Sequence, residues 1–75
     1  MSNHLPVIGE ELLNEFKIGD LVGWKKLVEN KTGIVLNVFT KESGDREFPC
    51  ANVYIMGEDR RVDILLTNLT NLSRV

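Results

Sequence analysis

The sequence predicts a small all-β domain, five short antiparallel strands closed into a barrel and preceded by an N-terminal arm. Three observations carry this expectation. Residues 51–56 and 61–66 alternate inward and outward positions with a period of two, separated by the turn Gly57-Glu58-Asp59-Arg60. The glycines at 9, 19, 23, 33, 44 and 57 are isolated, and all but Gly23 fit a turn or a strand start. The doublet Thr67-Asn68-Leu69, Thr70-Asn71-Leu72 has the period of three of a 3₁₀ turn.

Length and composition bound the rest. Seventy-five residues form one small domain with a marginal core. An apolar fraction of 43% and a charged fraction of 27% are globular values, which argues against disorder. No apolar run reaches the length of a membrane span. The start of the chain lacks a charged segment followed by an apolar one, so the expected location is cytoplasmic rather than secreted. Cys50 is the sole cysteine, which excludes an internal disulfide and a cysteine-built zinc site. A net charge of −2 gives no global pull toward nucleic acid.

The elements follow in order. Residues 1–15 form the arm, polar at Met1–His4 and carrying Pro6 and Gly9. Within it Glu10–Phe16 suits a short helical turn, because Leu12 and Phe16 share a face. Too short to be stable alone, this turn either docks on the body or awaits a partner. The body, residues 16–75, opens with a Gly19-Asp20 turn and a first strand over Leu21–Leu27. Gly23 inside that strand suggests a bulge. Val28–Lys31 reads as a polar connection. The second strand, Ile34–Thr40, is apolar on both faces, with Ile34, Leu36 and Val38 opposite Val35 and Phe39, so both faces need cover. Residues 41–47 contain no apolar side chain and read as a solvated loop ended by Phe48-Pro49. The third and fourth strands, Ala51–Met56 and Arg61–Leu66, make a hairpin. In the 3₁₀ turn that follows, Leu66, Leu69 and Leu72 line one side, and Thr67 or Asn68 supplies a cap. Ser73–Val75 forms the last strand.

Two stretches then carry a resemblance. Lys17-Ile18-Gly19-Asp20-Leu21-Val22, followed by Thr32-Gly33-Ile34-Val35, resembles the opening hairpin of SH3-like barrels, and a 3₁₀ segment before a final strand is similar too. Within that group, the size, the Gly-Asp-Leu-Val-x-Trp start and Gly-Ile-Val-Leu resemble small accessory and virion proteins of tailed bacteriophages. The same opening resembles KOW-type modules, whose further glycines and basic residues are missing from Val35–Phe39. The first resemblance implies a non-enzymatic protein-binding or assembly module, located in the cytoplasm of a bacterial host or in a virion. The second implies contact with RNA or the transcription and translation machinery.

Catalysis finds no constellation. Cys50 sits beside Pro49, and the sole imidazole, His4, lies in the arm, so nothing joins a nucleophile to a base. Asp45, Glu47, Glu58 and Asp59 fall in hydrated loop and turn positions, suited to solubility rather than acid–base work. No phosphate loop and no set of metal ligands is present, so neither a cofactor nor a metal is expected. Three Asn-x-Ser/Thr triplets, at 30, 68 and 71, read as coincidence in a chain without a secretion signal.

Binding is the remaining class. Tyr54, Met56 and Leu65 alternate away from the inner set Val53, Ile55, Val62 and Ile64. With Trp24 and Phe39 they predict an apolar contact surface for a protein partner or a second copy. Leu12, Leu13 and Phe16 of the arm either cover that surface or join it. The basic residues beside aromatics, Lys25, Lys26, Arg60 and Arg61, are the expected contacts of the nucleic-acid alternative.

Overall fold

A computed structural model describes residues 10–73. His4, Pro6 and Gly9 of the arm, and Arg74 and Val75 of the expected last strand, lie outside the described residues. The fold is all-β. Its strands are β1 (Leu21–Lys26), β2 (Glu29–Ser43), β3 (Arg46–Ile55), β4 (Arg60–Leu65) and β5 (Thr70–Asn71), in one antiparallel sheet of order β4-β3-β2-β1-β5. Single 3₁₀ segments cover Glu10–Asn14 and Leu66–Asn68. Among the described residues no ladder joins β4 to β5, so the sheet remains open where closure into a barrel was expected.

One face of the sheet wraps a small core of Phe16, Val22, Val35, Ala51, Val53, Leu66 and Leu69. Leu12 and Leu13 pack on it from the first 3₁₀ segment, so these arm residues dock on their own body. Phe16, expected at a contact surface, is 5% exposed and belongs to the core. The second 3₁₀ segment buries Leu66 and Leu69. Neither Thr67 nor Asn68 caps it; Leu65 occupies the cap position without a side-chain bond.

Four further expectations change, each for a local reason. The connection after β1 is not a polar loop but a two-residue turn, Leu27–Val28, because Lys26 already pairs with Glu29. The charged stretch 41–47 is not a loop either. Gly44, at φ +65°, turns the chain so that Ser43 pairs with Arg46 and Glu42 with Glu47. β3 therefore runs through Pro49, which the ladder tolerates because β4 reaches no further than the Cys50–Leu65 pair. The last strand is Thr70–Asn71, not Ser73–Val75.

The bulge is displaced as well. Gly23 pairs in unbroken register between Thr32 and Thr70. Its missing side chain accommodates Leu72 instead, whose Cδ1 lies 3.2 Å from where a Cβ would stand. The actual register shift falls at Leu36, between the Val35–Val53 and Asn37–Asn52 pairs. That extra residue resolves the doubly apolar strand. Before it the odd positions face the core; after it the even ones do, so Val38 joins Val35 inside while Leu36 turns out.

The segments entering β1 and leaving β5 are clamped together around Asp20. Asn71 Nδ2 donates to Glu15 O and to Asp20 Oδ2, both at 2.8 Å. Leu21 N donates to Ser73 Oγ at 2.7 Å, and Leu72 N returns a bond to Leu21 O at 2.8 Å. These bonds explain why so short a strand as β5 is held.

Candidate functional site

The register sorts the predicted contact residues onto separate surfaces. On the outer face three cross-strand rows appear. Leu21, Ile34, Tyr54 and Arg61 form one, across four strands. Phe39, Cys50 and Leu65 form another. Between them lies a polar row of Asn37, Asn52 and Asp63, with Asn52 Nδ2 donating to Asp63 Oδ1 at 2.9 Å. The expected continuous apolar surface is thus divided: Tyr54 stands on one side of this row, Phe39 and Leu65 on the other. Tyr54 donates its hydroxyl to Asp59 Oδ1 at 3.2 Å, a bond that holds the phenol above its usual pKa. Met56 sits in the β3–β4 turn, 51% exposed.

Cys50 is enclosed in the second row, 2% exposed, with its Sγ donating to Phe48 O at 3.5 Å. Burial pushes the thiol up from its ordinary value, which disfavours the nucleophilic thiolate. Among the described residues no group of three or more His, Cys, Asp or Glu side chains is placed to hold a metal ion. No helix there is long and apolar enough to cross a membrane.

Trp24 lies on the core-facing side instead. It is paired with Lys31, packs against the core, and touches the space where a Gly33 side chain would stand. Gly33 itself is sterically required. A Cβ there would meet Val53 Cγ1 at 2.5 Å and collide with the Tyr54 carbonyl oxygen. This close approach seats the Trp24 ring at the end of the core.

Beyond Trp24 a cleft of about 260 Å³ opens between β1 and the edge strand β4. Trp24, Ile55, Val62 and Ile64 form its apolar floor, and Lys25, Lys26, Lys31 and Arg60 its rim. The lining thus holds four cations and no carboxylate, on a chain whose net charge is −2. Two of the cations are neutralised from outside the lining. Lys31 Nζ bonds Glu58 at 2.5 Å and Glu29 at 3.0 Å, and Arg60 Nη2 bonds Glu58 at 3.0 Å. The hydrogen bond to Lys31 holds the Glu58 carboxyl below its usual range, and the same bond raises Lys31. Lys25 and Lys26 have no such carboxylate partner among the described residues and stay exposed. Of the four predicted basic contacts, Lys25, Lys26 and Arg60 converge here; Arg61 points to the outer face beside Tyr54.

The wall of this cleft ends in the Leu27–Val28 turn. Leu27 is 88% exposed and Val28 90% exposed. Leu27 also adopts φ +57°, the left-handed region that two-residue hairpin turns usually fill with glycine or asparagine. Sequence reading passes over this turn, because Leu27 completes a plausible strand and Val28 stands among polar neighbours. The available signal is the spacing: only two residues separate the strand-like Trp24-Lys25-Lys26 from the run that pairs with it. A second hollow, of about 420 Å³, adjoins this cleft: it shares Trp24, Lys25 and Lys31 with it and extends over Gly23 to Thr70 and Leu72.

No protein-family model, curated protein or solved structure matches the chain.

Proposed function

We propose that the chain is a non-enzymatic protein-binding module of SH3-like barrel type, which meets its partner through the Leu27–Val28 turn and the cleft behind it. The observation that carries this reading is the turn. Two aliphatic side chains stand almost fully in water, and one of them is held in a backbone conformation disfavoured for leucine. Neither feature helps the isolated domain fold. A partner that covers them explains both, since buried aliphatic surface is what an interface core consists of. The strand order β4-β3-β2-β1-β5, with a 3₁₀ turn leading into β5, supports the SH3-like assignment.

The nucleic-acid alternative draws on Lys25 and Lys26, the exposed cations of the rim. It is weakened at Arg60, which Glu58 already occupies, and by the aliphatic floor, which offers one aromatic ring for base stacking.

The test is affinity recovery from the source cells with the wild-type protein and with a Leu27→Gly/Val28→Asn variant, each cross-linked before washing. Partners held by the wild type and lost by the folded variant support the reading. Identical recovery by both proteins removes the turn from it.

A further inference from the structure

The cleft is bounded by two strand edges that nothing described pairs. β4 bonds only to β3, so the other edge of Arg60–Leu65 is open. β5 covers β1 only at Val22 and Gly23, which leaves Trp24–Lys26 without a neighbour on that side. The interruption of the sheet and the cleft coincide. Open edges of this kind accept an added strand through main-chain hydrogen bonds, and alternate side chains of that strand then enter whatever lies beneath.

We infer that the occupant of this cleft is an extended acidic peptide segment of a partner protein, added along β4 as a further strand. The inference rests on the protein-binding reading above and specifies its partner. Its apolar side chains descend onto Trp24, Ile55, Val62 and Ile64. Its carboxylates meet Lys25 and Lys26, the rim cations that carry no ion partner among the described residues. Charge complementarity selects the acidic partner: the rim is cationic while the chain as a whole is acidic, so the attraction is local to this site. The volume, about 260 Å³, is below the ~300–1,000 Å³ usual for small-molecule pockets, and it suits a few side chains of a strand.

Trp24 is the sole tryptophan and lines the cleft, so its emission reports occupancy directly. The probe is an acetylated peptide of alternating glutamate and valine, about as long as β4, titrated into the full chain. Expected are a saturable shift of Trp24 emission and new exchange protection at amides of residues 60–65. Affinity should fall by about tenfold or more in a Lys25→Glu/Lys26→Glu variant. It should also fall when alternate peptide nitrogens are methylated, because methylation removes the ladder donors. Equal binding of the methylated peptide overturns the added strand. Binding of oligouridylate in place of the peptide, weakening steeply with salt, overturns the acidic-peptide occupant in favour of nucleic acid. A concentration-dependent dimer that protects residues 60–65 without any peptide overturns it in favour of a second copy. Partner recovery that depends on Leu27–Val28, together with a peptide that leaves Trp24 unchanged, overturns this inference and leaves the protein-binding reading standing.

Discussion

Val35 and Val38 face the same core although they stand three positions apart in one strand, because Leu36 is extruded between them. Strict alternation would put Leu36 and Val38 on one face and make them equivalent. The bulge makes them opposites, and that difference is measurable. Val38→Lys should destabilise the domain by about 2 kcal/mol or more, since it forces a charge toward the apolar interior. Leu36→Lys, at a position already 38% exposed, should stay within about 1 kcal/mol of wild type. Urea midpoints of the two variants check the ordering; equal losses would return Leu36 to the core.

The two glycines of the β1–β2 hairpin differ in the same way. Gly33→Ala drives a methyl into the Tyr54 carbonyl and Val53, neither of which is a flexible chain end, and should cost about 2–3 kcal/mol. Gly23→Ala meets the flexible tip of Leu72 at 3.2 Å and the Lys31 carbonyl oxygen at an ordinary 3.5 Å, and should change stability by under about 1 kcal/mol. Thermal melting of both variants decides it. A shift in Trp24 emission should accompany the first substitution only, because that ring abuts Gly33.

At the hairpin turn, stability and binding should move in opposite directions. Leu27→Gly/Val28→Asn replaces the leucine at φ +57° by glycine, which that backbone favours, and places a turn-forming residue after it. The domain should gain about 0.5–1 kcal/mol in chemical unfolding while losing its partner. A loss of stability instead would mean that the two side chains pack on the domain itself.

Cys50 should be inert in the native protein. Enclosed beside Phe39 and Leu65, with its thiol pushed up by burial, it should react with a disulfide reagent only as fast as the fold opens. Leu65→Ala should speed that reaction markedly. Rapid labelling of native wild type would place the thiol at the surface.

The Lys31–Glu58 pair predicts a shallow pH profile with two shoulders. Glu58 is lowered in the fold, so its contribution is present above the ordinary carboxylate range and is lost as pH falls through the lowered value. Lys31 is raised, so its contribution is present below the ordinary lysine range and is lost as pH rises through the raised value. Glu58→Gln should flatten both shoulders in denaturation curves taken across pH, because each group owes its shift mainly to the other. Retained shoulders would assign them elsewhere.

The parts of this fold written in short-range pattern were legible. The β3–β4 hairpin follows from strict alternation, and the 3₁₀ turn from the spacing of Leu66 and Leu69. The Gly19 turn, at φ +94°, follows from its glycine. What the pattern hid depends on partners distant in sequence. The Leu36 bulge is visible only against the register of β3, and the hydrogen-bonded tip over 41–47 only once Lys41 is seen opposite Phe48. The candidate site divides likewise. Lys25, Lys26, Arg60 and Trp24 were identifiable by residue type, but their convergence needs the approach of β4 to β1. The apolar turn beside them looks like strand until Lys26 is paired with Glu29. Period-two reading placed Tyr54 and Leu65 correctly outside, yet it could not foresee the polar row that separates them.

The clamp between β1 and β5 has a mechanical consequence. These strands are antiparallel, so the entry to β1 and the exit from β5 lie at the same end of their two-pair ladder. Tension applied through residues 10 and 73 therefore peels the ladder one bond at a time, beginning at the Leu21–Ser73 and Leu21–Leu72 bonds, and never loads its bonds together in shear. Pulled from its ends, the domain should give way at low force by unzipping. Pulled between Lys26 and Ser73, which lie at opposite ends of the ladder, it should hold to a higher one.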